Sequence, residues 1–315
     1  MPEPIAFLGQ LDADEEAEFL AALAASLPGE TIRPFRTLGE AERADICLAI
    51  VANPDPAEVA LLPNLAWIQS LWAGVERLVR DLGGNGVPIV RLIDPELART
   101  MAEAVLAWTF YLQRDMPAYR RQQEAATWRQ LAYRPPAAVT VGLLGLGALG
   151  SAAADRLVQA GFRVAAWSRS RKAVPPGVTG YFGPAGLGDL LAASDIAVCL
   201  LPLTGETRGL LDAGRIAGMK PGAGLINFGR GPIVDIDALL AALDAGRLSH
   251  AVLDVFEVEP LPADSALWRH PGVTVLPHIS GPTTPASAAS VVAGNVRAYR
   301  ASGRIPAAVD VARGY

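Results

Sequence analysis

The chain has 315 residues, 51% hydrophobic and 19% charged, which is enough apolar material for a large core and too much for a disordered chain. Its 27 lysines and arginines against 32 acids leave a net charge of −5 and an isoelectric point near 5.3, which argues against a nucleic-acid partner. The 31 glycines and 25 prolines fall in no repeat, so collagen-like and low-complexity chains are excluded too.

The chain opens Met1-Pro2-Glu3-Pro4 and soon reaches Asp12, Asp14, Glu15 and Glu16, the wrong chemistry for a signal or transit peptide. A cytoplasmic location is expected. Short apolar runs then alternate with helical patterns: Ile5-Ala6-Phe7-Leu8, an amphipathic stretch over 15–27, Thr31-Ile32, and runs at 45–51, 66–71 and 88–90. This alternation predicts a parallel sheet with helices on its faces. From Asp94 a helical periodicity passes through Met101, Val105, Trp108 and Leu112 toward Met116. The next stretch, 118–134, is aromatic and basic, with Tyr119, Arg120, Arg121, Trp128 and Arg129, and stops at Pro135-Pro136.

A second series follows, with strands at 139–144, 162–167, 196–201, 224–228, 251–255 and 273–276. Helices are expected at 148–160, about 186–193 and 235–245, and a last one at about 285–301 gives the chain room to return to its first domain. The expected fold class is therefore α/β, two doubly wound parallel-sheet domains with a ligand in the cleft between them. The domains are placed at 1–97 plus 284–315 and at 98–283, the second including a long helical segment at about 98–134. No charge interrupts 135–154, but Pro135-Pro136 and Gly142, Gly145, Gly147 and Gly150 read as strand, turn and helix start, so no membrane span is expected. Cys47 and Cys199 stand far apart in apolar runs, with neither a disulfide framework nor metal-ligand spacing. No metal is expected.

The strongest local motif is Gly145-Leu146-Gly147-Ala148-Leu149-Gly150, a GxGxxG spacing between an apolar strand and an alanine-rich helix. There, backbone N–H groups and the positive helix end can approach a pyrophosphate, so dinucleotide binding is expected at Gly145, Gly147, Ala148, Leu149 and Gly150. An NAD site usually ends its next strand in an acid that accepts from the ribose hydroxyls. Here that strand ends Trp167-Ser168-Arg169-Ser170-Arg171-Lys172, with no carboxylate. Ser168, Arg169, Ser170 and Lys172 suit an adenosine 2′-phosphate, so NADP(H) is preferred and NAD(H) is the weaker alternative.

Three later segments sit at carboxyl ends of predicted strands, where open α/β sheets build their sites. They are Asn227-Phe228-Gly229-Arg230-Gly231, Asp254-Val255-Phe256-Glu257-Val258-Glu259-Pro260, and Pro277-His278-Ile279-Ser280-Gly281. The glycines beside Arg230 are expected to allow close approach of a ligand. Taken singly, each segment has a plainer reading as a surface arginine, a solvated acidic loop or a turn histidine.

Together with the glycine loop, the ordered set Arg230, Glu259 and His278 resembles the D-2-hydroxyacid dehydrogenases. The resemblance extends over most of the chain, through Leu201-Pro202-Leu203-Thr204 with Thr207 and Gly231-Pro232-Ile233-Val234-Asp235. The basic turn after Trp167, the segment Met101-Ala102-Glu103 and the Trp128 region look most like the NADPH-dependent glyoxylate/hydroxypyruvate reductase branch. The resemblance implies a flavodoxin-like substrate domain and a Rossmann domain, with the long helical segment forming a homodimer interface. It also implies an oxidoreductase that reduces small 2-keto acids to 2-hydroxy acids.

By that resemblance Arg230 binds the substrate carboxylate, His278 is the general acid/base, and Glu259 orients His278 and raises its pKa. Leu201, Pro202, Thr207, Phe228, Gly229 and Asp254 would contact the cofactor, Asp254 at the nicotinamide carboxamide. Trp72, Ala73 and Gly74 match the family's substrate loop. Glu259 is preferred to Glu257 because it precedes Pro260, whereas His250 and His270 lack matching context and are read as structural. Ile279-Ser280-Gly281 departs from the small-residue pair that many members carry after the histidine. A reductase of bulkier or aromatic 2-keto acids is the alternative within the enzymes, and a dinucleotide-binding regulator the alternative outside them.

Overall fold

Strands in this chain are short runs of consecutive apolar residues, the pattern of sheets covered on both faces. The structure, a computed structural model, describes residues 3–314 and divides into two units, Met1–Asp94 with Thr283–Tyr315, and Pro95–Pro282.

In the first unit β1 (Ile5–Gly9), β2 (Ile32–Pro34), β3 (Leu48–Ala52), β4 (Trp67–Ser70) and β5 (Ile89–Val90) form a parallel sheet ordered β2-β1-β3-β4-β5. This is the flavodoxin-like order. The helix Pro285–Ser302 belongs to this unit because its face of Ala288, Ala289, Val292, Ala293 and Val296 packs into a core with Ile5, Phe7, Leu23 and Trp67. Asn295 adds a polar reason for that docking: its amide donates to Gln69 Oε1 at 2.8 Å, and Gln69 is fully buried. A buried amide left unpaired would cost about 1–3 kcal/mol.

In the second unit β6 (Thr140–Leu144), β7 (Arg163–Ser168), β8 (Val178–Phe182), β9 (Ile196–Cys199), β10 (Ala223–Asn227), β11 (Leu248–Leu253) and β12 (Val273–Val275) form another sheet. Every pair is parallel, and the order is β12-β11-β10-β9-β6-β7-β8. The two expected parallel-sheet units are thus present. From β6 the chain winds outward through β7 and β8, then returns to β9 and winds the other way, which makes β6 and β9 the switch point where such sheets bind ligands. β8 is absent from the sequence reading because it is an edge strand, half-buried at most, with no apolar run to announce it.

The helical segment expected at about 98–134 needs correction. One helix covers Pro95–Gln113, Asp115 turns left-handed at φ 55°, and a second helix covers Met116–Glu124. That helix ends in a Schellman-type cap, with Ala126 left-handed, Ala126 N donating to Gln123 O and Thr127 N to Gln122 O. Residues 127–135 have no regular secondary structure and are fastened by Leu131 N donating to Tyr119 Oη (3.0 Å) and Arg129 N to Gln122 Oε1 (3.1 Å).

The charge-free stretch 135–154 becomes β6, the glycine turn and the start of the helix Ala148–Gln159. Among the described residues no helix is long and apolar enough to cross a membrane. Cys47 and Cys199 are both free, and burial pushes the Cys199 thiol up to about 12.

Candidate active site

Because all seven strands of the second sheet run the same way, the loops after β6, β7, β9, β10, β11 and β12 leave from one edge. That edge collects the cofactor and catalytic candidates of this unit.

After β6, Gly145 takes φ +107°, and a Cβ there would lie 3.1 Å from the carbonyl oxygen of Leu200. A Cβ on Gly150 would sit 1.9 Å from the oxygen of Gly145, so only glycine lets the helix start this close to the strand. Gly147 differs, since a Cβ there would meet nothing within 4 Å. It is the N-cap of Ala148–Gln159 and supplies no side-chain cap. Space in front of an uncapped helix N-terminus fits a pyrophosphate group.

The basic turn after β7 is only partly directed to this place. Arg169 pairs with Glu206, and Lys172 Nζ donates to the Leu146 carbonyl within the glycine turn. Arg171 lies over the Phe182 ring at 5.7 Å, and Ser168 donates its hydroxyl to Ser170 O at 2.6 Å. After β9, Leu201 is buried and the loop bonds to itself: Thr207 Oγ1 donates to Pro202 O at 2.7 Å and accepts from Thr204 N at 2.8 Å. Phe228 is buried, its N–H donating to Cys199 O at 3.0 Å.

Arg230 is held by its turn. Buried Asn227 donates from Nδ2 to Arg230 O at 3.1 Å and accepts from Gly229 N at 3.2 Å, while Arg230 Nη1 donates to Gly229 O at 2.7 Å. Gly229 and Gly231 also lie against the chain's own backbone. A Cβ on Gly229 would lie 2.7 Å from Leu201 O and one on Gly231 2.1 Å from the Phe256 carbonyl carbon, so both serve backbone packing. Sequence reasoning missed Asn227 as a positioning residue, although a polar side chain closing an apolar strand was a visible signal.

After β11 and β12, His278 Nδ1 lies 2.7 Å from Glu259 Oε2, and Glu259 Oε1 accepts from Phe256 N at 2.8 Å. Glu257 points to Arg208 instead, at 3.2 Å. The hydrogen bond that His278 donates to Glu259 raises the pKa of His278; burial opposes this, the Glu259 charge adds to it, and the Arg230 charge pulls it down. Burial pushes the Glu259 carboxyl up, but hydrogen bonds from His278 and Phe256 N outweigh it and hold the carboxyl below its ordinary range. Arg230 is therefore close enough to both groups for its charge to be felt.

His278 adopts φ 55°, unusual for a residue with a side chain. Buried Asp254 holds the backbone there, accepting from Ile279 N at 2.8 Å and Ser280 N at 2.9 Å. His250 and His270 have their own partners, Thr274 Oγ1 at 2.9 Å and Asp244 Oδ1 at 3.1 Å, and burial pushes His250 down to about 4.

Within the first unit, Trp72, Ala73 and Gly74 follow β4 and are half-buried. The N–H of Trp72 already donates to Ser70 Oγ at 3.0 Å, and its ring meets Phe19 edge-on at 5.7 Å.

The family model for the D-isomer specific 2-hydroxyacid dehydrogenase NAD binding domain matches residues 106–280. A glyoxylate/hydroxypyruvate reductase A of Serratia proteamaculans is 38% identical over 305 residues, covering 95% of this chain and 96% of that protein. A Xanthobacter autotrophicus D-isomer specific 2-hydroxyacid dehydrogenase, solved in complex with NADPH and MES, superposes with a TM-score of 0.93 at 39% identity, covering 100% of both chains. The NADPH-dependent glyoxylate/hydroxypyruvate reductase of Sinorhizobium meliloti, solved with NADP and sulfate, gives 0.88 at 34% identity, covering 99% of this chain and 100% of that one.

Proposed function

Since the chain belongs to the D-isomer specific 2-hydroxyacid dehydrogenase family, we propose that it reduces small 2-keto acids such as glyoxylate and hydroxypyruvate to 2-hydroxy acids with NADPH. The observation that carries this is the His278–Glu259 pair at 2.7 Å, within the field of Arg230, on the same sheet edge as the open glycine turn.

When bound, the dihydronicotinamide supplies a hydride to the keto carbon. The Arg230 guanidinium binds the neighbouring carboxylate and draws charge from the keto oxygen. His278, with Nδ1 tied to Glu259, presents Nε2 and gives that oxygen a proton. Glu259 keeps the imidazolium form in supply and fixes the ring. Asn227 and Asp254 hold the turns carrying Arg230 and His278. Gly145, Gly147, Ala148, Leu149 and Gly150 would hold the pyrophosphate, and Arg169 with Ser170 and Lys172 the 2′-phosphate. The NADPH and NADP complexes of the Xanthobacter and Sinorhizobium relatives favour the same cofactor.

The chain acts as a homodimer in the cytoplasm on this reading. Trp128 is 98% and Tyr133 62% exposed on the 127–135 arm, an apolar surface that a second copy would cover. Two free cysteines suit a reducing compartment. The test is a kinetic panel of glyoxylate, hydroxypyruvate and phenylpyruvate with NADPH and with NADH. Rapid NADPH oxidation with the two small acids is expected. Nucleotide binding without turnover on any of them would point to a regulator instead.

A further inference from the structure

We propose that Glu206 tunes the affinity for NADP(H), acting as a carboxylate counter-ion that holds Arg169 across the glycine turn and gives it up to the 2′-phosphate of NADP(H). This deepens the NADPH reading above and rests on it.

The sheet order carries the argument. Arg169 is the first residue after β7, Glu206 lies on the loop after β9, and β6 runs between those two strands. Neighbouring strands lie about 4.8 Å apart, so β7 and β9 are roughly 10 Å from each other at this edge. A side-chain ion pair joining their loops therefore passes over the end of β6, where the Gly145 turn begins. Arg169 and Glu206 make such a pair. The pair thus lies on the same sheet edge as the uncapped helix N-terminus at Gly147.

The Glu206 end of the pair stands on an ordered turn. Thr207 Oγ1 accepts from Thr204 N at 2.8 Å and donates to Pro202 O at 2.7 Å, and Arg208 N donates to Thr204 O at 3.0 Å. The Arg169 end follows directly on a buried strand residue, Ser168. Both side chains remain accessible, 45% exposed for Arg169 and 66% for Glu206, so an incoming anion can compete for the guanidinium.

A phosphate monoester brings a charge of about −1.5 to −2 and three acceptor oxygens, against the single charge of Glu206, so the exchange runs toward phosphate. NAD(H) has no phosphate at this position and leaves the pair closed. Glu206 thus lowers the affinity for NADP(H) by the strength of the pair it must release. It also keeps Arg169 from binding weaker anions.

The test is direct binding, read as dissociation constants from calorimetry for NADPH and NADH and for the fragments adenosine 2′,5′-bisphosphate and 5′-AMP. For Glu206→Gln, NADPH and the bisphosphate are expected to bind roughly two- to fivefold tighter, the range spanned by an exposed ion pair, with NADH and 5′-AMP unchanged. In an Arg169→Ala background, adding Glu206→Gln is expected to remove that selective gain. An equal gain for all four ligands would show a general charge effect and overturn the proposal. So would no gain for any ligand, or a selective loss for NADH, which would make Glu206 a ribose contact. If Arg169→Ala fails to weaken NADPH selectively, the NADPH reading itself falls. If it does so while Glu206→Gln changes nothing, only the role of Glu206 falls.

Discussion

Asp254 fixes His278 without bonding to its ring: the buried carboxylate accepts the N–H groups of the two residues that follow, while His278 itself holds φ 55°. A left-handed backbone at a residue with a side chain persists only where its surroundings over-determine it. Asp254→Asn would keep one acceptor and turn an amide N–H₂ toward a backbone donor. It should cost about 1–3 kcal/mol of stability and reduce turnover together. A thermal melt and kcat measured on the same preparation check this. Unchanged melting with unchanged turnover would remove the clamp from the account.

The His278–Glu259 pair sets a pH dependence whose sign follows from the shifts. The pKa of His278 is raised, so reduction should hold above the ordinary imidazole value near 6.5 and decline as pH rises through the raised value. Glu259→Gln removes the charge that supports the imidazolium, and the decline should move to lower pH. A kcat/KM profile that stayed in place in that variant would rule out the coupling. For stability, the raised His278 contributes fully below its unfolded pKa and loses that contribution as pH climbs through the folded one. The depressed Glu259 contributes above its unfolded pKa and loses it as pH falls through the folded one. The pair therefore supports the fold between those limits, modestly, because His278 is 51% exposed.

Arg230→Ala should lower kcat/KM for glyoxylate by a hundredfold or more, about 3 kcal/mol, since the substrate carboxylate would lose a charge-assisted partner. NADPH binding should be nearly untouched. A variant with full kcat/KM would move the carboxylate site elsewhere.

Arg169→Ala should weaken NADPH relative to NADH by roughly 1.5–3 kcal/mol. Fluorescence titration with both nucleotides measures the difference. Equal losses would place Arg169 away from the 2′-phosphate.

Trp128→Glu puts a charge on the exposed arm. Light scattering behind a sizing column should show a dimer for the unsubstituted chain and a monomer for the variant, with the melting of a Trp128→Phe control unchanged. A monomer in both would end the homodimer reading.

Local pattern made much of this legible. The glycine turn could be read because Gly145, Gly147 and Gly150 impose a backbone shape that few other sequences allow, and strands such as Ile5–Gly9 and Thr140–Leu144 are runs too apolar to leave in water. Strand Val178–Phe182 escaped because an edge strand needs no apolar run. The helical pattern after Asp94 overran its end because left-handed residues at Asp115 and Ala126 carry no glycine to mark the breaks.

By itself the sequence determined two parallel α/β units, the glycine turn and the residue types for acid/base chemistry, all properties of neighbours along the chain. Only the tertiary structure decided which groups meet. Glu257 and Glu259 are two positions apart on one irregular loop, yet one faces Arg208 and the other His278. Arg169 and Glu206, 37 positions apart, meet because their strands flank β6 in the sheet with only that strand between them. Strand order and loop direction arise from packing between distant segments, and no local spacing encodes them.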